Sequence, residues 1–227
     1  MVLMSNELLF LISILVDILF VFFAARRGVD WLLGTIIANL ILIGIFGAKL
    51  VSAFGIVTNL GNIFYACVFL ATYFILERYG RYAAVKTIWL GVSFTVFFVV
   101  LSQLATRFIG LPQTLEVNNA ITTLFTFSQR IVLGSVVGFS FAQFINIKIY
   151  EWIKTFTKGR FLFLRCNVAN VISQLIDSIL FFSIAFFDLP GPLLVQTILV
   201  GWGVKVLVVF LGTPFVYADR YIESRKT

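Results

Sequence analysis

Seven apolar runs, each long enough to cross a bilayer, follow one another with little chain between them. They are Leu8 to Ala25, Trp31 to Val51, Asn59 to Leu76, Thr87 to Ala105, Thr126 to Ile147, Asn167 to Phe187 and Leu193 to Tyr217. A spanning helix needs roughly 20 apolar residues, because hydrocarbon offers no partner for its backbone and every N–H must be satisfied within the segment. Seven of them consume about 140 residues, so a chain of 227 keeps room for short connections only. With 61% hydrophobic and 12% charged residues, the composition lies outside that of soluble domains. The expectation is an all-α integral membrane protein, one polytopic domain over residues 1–227. The first run carries Asp17 at its centre and has no basic start or small-residue cleavage site, so it is read as a retained span, with the mature protein beginning near Met1.

The charges orient these spans. Arg26, Arg27, Arg78, Arg81, Lys86, Lys148, Lys154, Lys158, Arg160, Arg165, Arg220, Arg225 and Lys226, thirteen of the 17 basic residues, fall in the odd-numbered loops and the C-terminal tail. Arg107 alone falls on the other side, and Lys49, Arg130 and Lys205 lie in or at the edge of a span. This predicts an external N-terminus and a cytoplasmic C-terminus. It also explains the net charge of +7 without a nucleic-acid partner. Histidine is absent, and Cys67 and Cys166 lie far apart, which argues against a metal site, a disulfide, a cofactor and enzymatic acid–base chemistry. The connection from Arg107 to Ser128 is read as a solvated external loop, in preference to a segment lying in the outer interface.

An ionised group at mid-bilayer costs about 3 kcal/mol on insertion scales. Asp17, Asp177, Lys205 and Arg130 therefore each need a partner, a polar cavity or a task. Either Asp177 or Asp17 can pair with Lys205 to fix helix register, and the same groups can line a cavity. Helix six favours the cavity. Its Asn167, Asn170, Gln174 and Asp177 are spaced by 3, 4 and 3 residues, which places them within about an 80° arc at 100° per residue. Amides and a carboxylate match the donor and acceptor edges of a flat heterocycle, and Phe181 in the same arc offers an aromatic face to stack on it. Asn170, Gln174 and Asp177 are thus the leading candidate ligands, with Gln143, Arg130 and Glu77 behind them. Gly134, Gly138 and Ala142 form a small-residue packing face. Gly80 is a helix stop, and Glu77 and Arg81 are spaced for an i, i+4 pair.

Two stretches carry a resemblance. In FLATYFILERYGRYAAVK, Phe69 to Lys86, the residues Thr72, Glu77, Tyr79 and Gly80 match a recurring pattern, while Tyr73 replaces its aspartate. From Gln129 to Phe186 the pattern is met by Arg130, Gln143, Lys158, Gly159, Arg160, Arg165, Ser173, Gln174, Asp177 and Ser178, and Lys49 corresponds to a further lysine after helix two. Together these resemble the queuosine precursor transporter family, also called the vitamin uptake transporter-like family. The resemblance implies import of 7-cyano- or 7-aminomethyl-7-deazaguanine for the queuosine modification of tRNA, with Tyr73 leaving the exact substrate open. Members resemble, in fold only, the substrate-binding subunits of energy-coupling-factor vitamin importers, and that role is the alternative reading. Helix one here lacks the small-residue seam by which those subunits dock, so a self-sufficient carrier is expected, alone or as a homodimer.

Overall fold

Helix α1 (Asn6–Arg27) begins where the Ser5 hydroxyl accepts a hydrogen bond from the Leu8 amide at 3.3 Å, satisfying one of the donors that a helix start leaves open. These positions come from a computed structural model that describes residues 5–47, 49–126 and 129–224. Gly28, at φ 119°, turns the chain directly into α2 (Val29–Phe46), a backbone conformation open to glycine and costly for a side chain. Down the outer face of α1, Leu8, Leu11, Leu15 and Leu19 lie exposed three to four residues apart, the stripe that a lipid-facing helix presents.

The second apolar run is not helical to its end. Helix α2 stops at Phe46, and strands β1 (Leu50–Ala53) and β2 (Ile56–Asn59) pair antiparallel, with Leu50 opposite Asn59 and Ala53 opposite Ile56. Phe54 and Gly55 both take positive φ, 52° and 71°, the signature of a two-residue hairpin turn. Leu, Val, Ala and Ile serve helix and strand alike, so hydropathy could not separate the two. Apart from this one short hairpin the described elements are helical, consistent with the all-α expectation. The hairpin folds onto the start of α1, where Asn6 donates to the Ser52 carbonyl (3.0 Å) and the Phe54 amide donates to Glu7 (3.3 Å).

Helix α3 (Gly61–Ala105) joins two of the apolar runs across Gly80, whose φ of 78° and ψ of −177° are not helical. Its halves run in opposite directions beside α2. The first half starts with Gly61 against Gly47 and ends with Tyr79 at Gly28; the second returns past Leu40 at Gly91 and reaches Gly44 with Phe98. Gly80 therefore ends one helix and starts its antiparallel successor, as its place in the sequence suggested. From Tyr65 to Leu76 every residue of the first half is buried, which makes this segment the central helix of the bundle, as its apolar character all round requires.

The stretch from Arg107 to Phe125 is not the irregular loop expected. A 3₁₀ turn (Pro112–Thr114) leads into α4 (Leu115–Phe125), in which no residue is buried. Val117, Ala120, Ile121 and Leu124 fall on one face, a helical spacing that the interleaved Asn and Thr residues had obscured. Ser128 lies outside the described residues. Helices α5 (Gln129–Phe156), α6 (Leu162–Ala185) and α7 (Gly191–Ser224) complete the chain. Among the described residues five helices are long and apolar enough to cross a membrane: α1, α2, α3, α6 and α7. The most extensive pairing is between α5 and α6. It depends on the glycine face read from sequence, since a Cβ at Gly134 would sit 3.0 Å from the Phe181 carbonyl oxygen.

Candidate substrate site

The membrane-depth charges sort themselves by partner. Lys205 on α7 places its ammonium 2.6 Å from Asp177 Oδ2 on α6, and Tyr65 on α3 donates its hydroxyl to Asp177 Oδ1 at 2.5 Å. The same ammonium lies 4.5 Å from the centre of the Tyr65 ring. Three helices thus converge on one carboxylate, and a buried anion is tolerable there because a cation and a donor meet it directly. Of the two pairings open from sequence, Lys205 takes Asp177. Asp17 instead accepts from Asn39 on α2 at 3.1 Å.

Gly138 on α5 makes the room. A Cβ there would lie 2.7 Å from Asp177 Oδ1, so Gly138→Ala is expected to push the carboxylate off Tyr65 and cost about 1–3 kcal/mol of stability. Thermal denaturation of the purified protein in detergent checks this, and an unchanged midpoint would mean that α5 and α6 can part without loss.

Beside the ion pair lies a set of amides that the protein itself leaves unpaired. Both side-chain polar atoms of Asn170 and of Gln174, the Ser178 hydroxyl, Gln143 Oε1 and Asn146 Nδ2 are buried with no hydrogen-bond partner among the described residues. The contacts this group does make are few. Gln143 donates to Thr72 (3.3 Å), and Asn146 Oδ1 accepts from Tyr73 (3.1 Å) and Ser173 (3.5 Å). Asn167, from the same stripe, is different: it donates to the Phe163 carbonyl (2.9 Å) and accepts from Thr213 (3.3 Å). It is satisfied structurally, and the unpaired atoms begin one turn further along α6. Each buried polar group without a partner costs about 1–3 kcal/mol, and native proteins hold few of them. Their concentration where α5 and α6 face α3 marks a surface suited to a polar ligand or water.

The aromatic surface comes from α3 and α5, where Tyr73 stacks on Tyr150 with centroids 5.5 Å apart and planes 17° apart. Phe181, expected to supply it, packs edge-on against Phe182 and Phe186 instead. Sequence reasoning missed Tyr65 and Tyr150. For Tyr65 a signal existed, since it precedes Thr72 by seven residues, two helical turns, and so shares the Thr72 face of α3.

A second cluster lies at the Gly80 end of the bundle. Arg165 reaches Glu77 at 2.6 Å, the Tyr150 hydroxyl at 3.1 Å and the Gly159 carbonyl at 2.8 Å. Tyr150 donates to the other Glu77 oxygen, and Lys154 adds an ion pair at 3.6 Å. The neighbouring Arg78 turns the other way: it donates to Asp219 at 2.8 Å and to the Ala25 carbonyl, while Arg26 lies 3.8 Å from Asp219. The Glu77 to Arg81 pair expected from i, i+4 spacing is absent, because Gly80 breaks the helix between them and the two side chains no longer share a face. The side chain of Arg130 lies outside those described.

A sequence profile described as "putative vitamin uptake transporter" matches residues 59–218, a span that contains the Asp177 ion pair and every one of the unpaired amides above. The chain belongs to the vitamin uptake transporter family. A relative from Bacillus subtilis (strain 168), named "probable queuosine precursor transporter", is 31% identical over 191 residues, covering 82% of this chain and 80% of the relative. No solved structure matches the chain. Both stretches that carried the sequence resemblance fall within the matched span, and the resemblance is borne out. As a member of the vitamin uptake transporter family the protein is a multi-pass transporter of the cell membrane, not an enzyme.

Proposed function

We propose that this transporter imports a 7-deazaguanine queuosine precursor, the 7-cyano or the 7-aminomethyl form, for tRNA modification. The observation that carries the reading is the group of unpaired buried amide atoms on Asn170, Gln174, Gln143 and Asn146 beside Asp177. A 7-deazaguanine is flat and presents ring N–H groups and a carbonyl along its edges. Asp177 accepts from the ring N–H edge with the lone pairs that Lys205 and Tyr65 leave over. Asn170 and Gln174 read the carbonyl, Gln143 closes the edge from α5, and Tyr73 offers its ring face. The relative's name supports the substrate class.

Transport proceeds by alternating access around this site. The chain crosses seven times, with the reversal at Gly80 separating two crossings, its N-terminus outside and its C-terminus in the cytoplasm. Glu77 and Arg78, adjacent on the central helix, form the inner seal: Glu77 holds α5 and α6, Arg78 holds α7 and α1. Parting these contacts opens the site to the cytoplasm.

The test uses cells that neither make queuosine precursors nor own an importer, fed each 7-deazaguanine at low concentration, with queuosine in tRNA read by boronate gel shift. Wild type restores queuosine. Gln174→Leu is expected to raise the concentration needed by about 10- to 100-fold, the equivalent of one buried hydrogen-bonding group, and Asp177→Asn to do at least as much. Uptake indifferent to Gln174→Leu at equal expression sinks the site. Transport by the purified protein in liposomes, without an ATPase, distinguishes the carrier from an energy-coupling-factor subunit.

A further inference from the structure

We infer that Asp17 is a proton-binding site that couples substrate movement to the proton gradient, an inference that rests on the transport reading above. Two carboxylates stand at membrane depth, and they are treated differently. Asp177 has the Lys205 ammonium at 2.6 Å. Asp17, in the middle of α1, has no Lys or Arg within ion-pairing distance among the described residues. Its hydrogen bond comes from the neutral Asn39 amide, donated to Oδ1 at 3.1 Å, and Oδ2 is buried without a hydrogen-bond partner.

The groups facing Asp17 leave its charge uncompensated. Helix α2 offers Asn39, and α3 offers the Cys67 thiol, which lies against the carboxylate. The mid-span charge of α7 is Lys205, already held by Asp177. On α1 itself the nearest ionisable groups are Glu7 and Arg26, about 14–15 Å away along the helix at 1.5 Å per residue. An uncompensated ion at this depth costs about 3 kcal/mol, so binding a proton relieves this site where it would not relieve Asp177. Oδ1 accepts from Asn39, which leaves Oδ2 as the oxygen open to a proton. A purely structural role is met equally well by asparagine, which has the same shape and no charge to discharge.

The geometry also links this proton to the substrate. Tyr65 and Cys67 lie two residues apart on α3, at about 200° around the helix, so they point to opposite sides. Tyr65 reaches Asp177 and Cys67 meets Asp17. Little more than half a turn of the central helix thus separates the proton site from the substrate-side carboxylate, and a shift of that segment alters both. In the transport cycle one proton enters at Oδ2 from the outer face and leaves to the cytoplasm with the substrate.

Wild-type, Asp17→Asn and Asp17→Glu proteins in liposomes, with labelled 7-aminomethyl- and 7-cyano-7-deazaguanine, test the proposal. Two assays are run: accumulation under an inward gradient of one pH unit, and exchange between equal substrate pools, which moves no net charge or proton. One proton per substrate allows about tenfold accumulation per pH unit. Wild type is expected to reach it and to raise external pH as substrate enters. Asp17→Asn is expected to keep exchange but lose accumulation, and Asp17→Glu to retain both. Wild-type accumulation that ignores the gradient overturns the proposal, as does an Asp17→Asn protein that still follows it. Should Asp17→Asn fail to insert, wild-type proton uptake together with Asp17→Glu coupling decides the matter. Absence of exchange in wild type with either compound defeats the transport reading itself, and the coupling falls with it.

Discussion

Lys205→Met is expected to cost about 3–5 kcal/mol of stability, because removing one partner of a buried pair leaves the other as an uncompensated charge. The ammonium lies 2.6 Å from Asp177 in a site that excludes solvent, with the lysine 5% and the aspartate 2% exposed. Combining it with Asp177→Asn is expected to restore most of that loss. No charge then remains, the shape is kept, and Tyr65 can donate to the new amide oxygen as it did to the carboxylate. Transport is expected to stay absent in the double variant, since the carboxylate proposed to meet the substrate is gone. Thermal denaturation in detergent reads the first effect and queuosine restoration in cells the second. A double variant as unstable as the single one would mean that the loss comes from the packing of the Lys205 side chain and not from an uncompensated charge on Asp177.

Arg165→Ala is the second large effect, expected to be about 3–5 kcal/mol for the same reason. Arg165 is 1% exposed, and its guanidinium bonds Glu77, Tyr150 and the Gly159 carbonyl from separate nitrogens. Lysine is a point charge without that planar fork, so Arg165→Lys is expected to recover only part of the loss. A double-mutant cycle with Glu77→Gln checks the assignment, and a coupling below about 0.5 kcal/mol would show that the two residues act independently. The neighbouring Arg26 to Asp219 pair behaves differently: at 3.8 Å, with the arginine side chain 31% exposed, it weakens with added salt as a screened surface pair does.

The polar face of the candidate site was legible in the α6 sequence because a helix preserves spacing: residues three and four apart must share a face, whatever surrounds them. Asn170, Gln174 and Asp177 accordingly line one side of α6. Spacing does not say which member of such a stripe is already satisfied. Asn167 follows the same period, yet its hydrogen bonds go to Thr213 on α7 and to the Phe163 carbonyl. Glu77 shows the converse failure, since the i, i+4 rule presumes an unbroken helix and Gly80 intervenes before Arg81. The hairpin at residues 50–59 and helix α4 were missed because short apolar segments fit several backbones equally well.

By itself the sequence determined that this chain is a helical membrane protein, where its central reversal falls, and which face of α6 is polar. Each of these is a local consequence, of a bilayer that makes every crossing satisfy its own backbone and of a glycine that alone tolerates φ 78°. Only the tertiary structure decided that Lys205 meets Asp177 and not Asp17, that Arg165 rather than Arg81 holds Glu77, and that Tyr65 and Tyr73 bond Asp177 and Asn146. The physical reason is that charge pairing and ligand surfaces depend on which helix faces meet in space. That is settled by packing around the buried half of α3, between residues far apart in the chain.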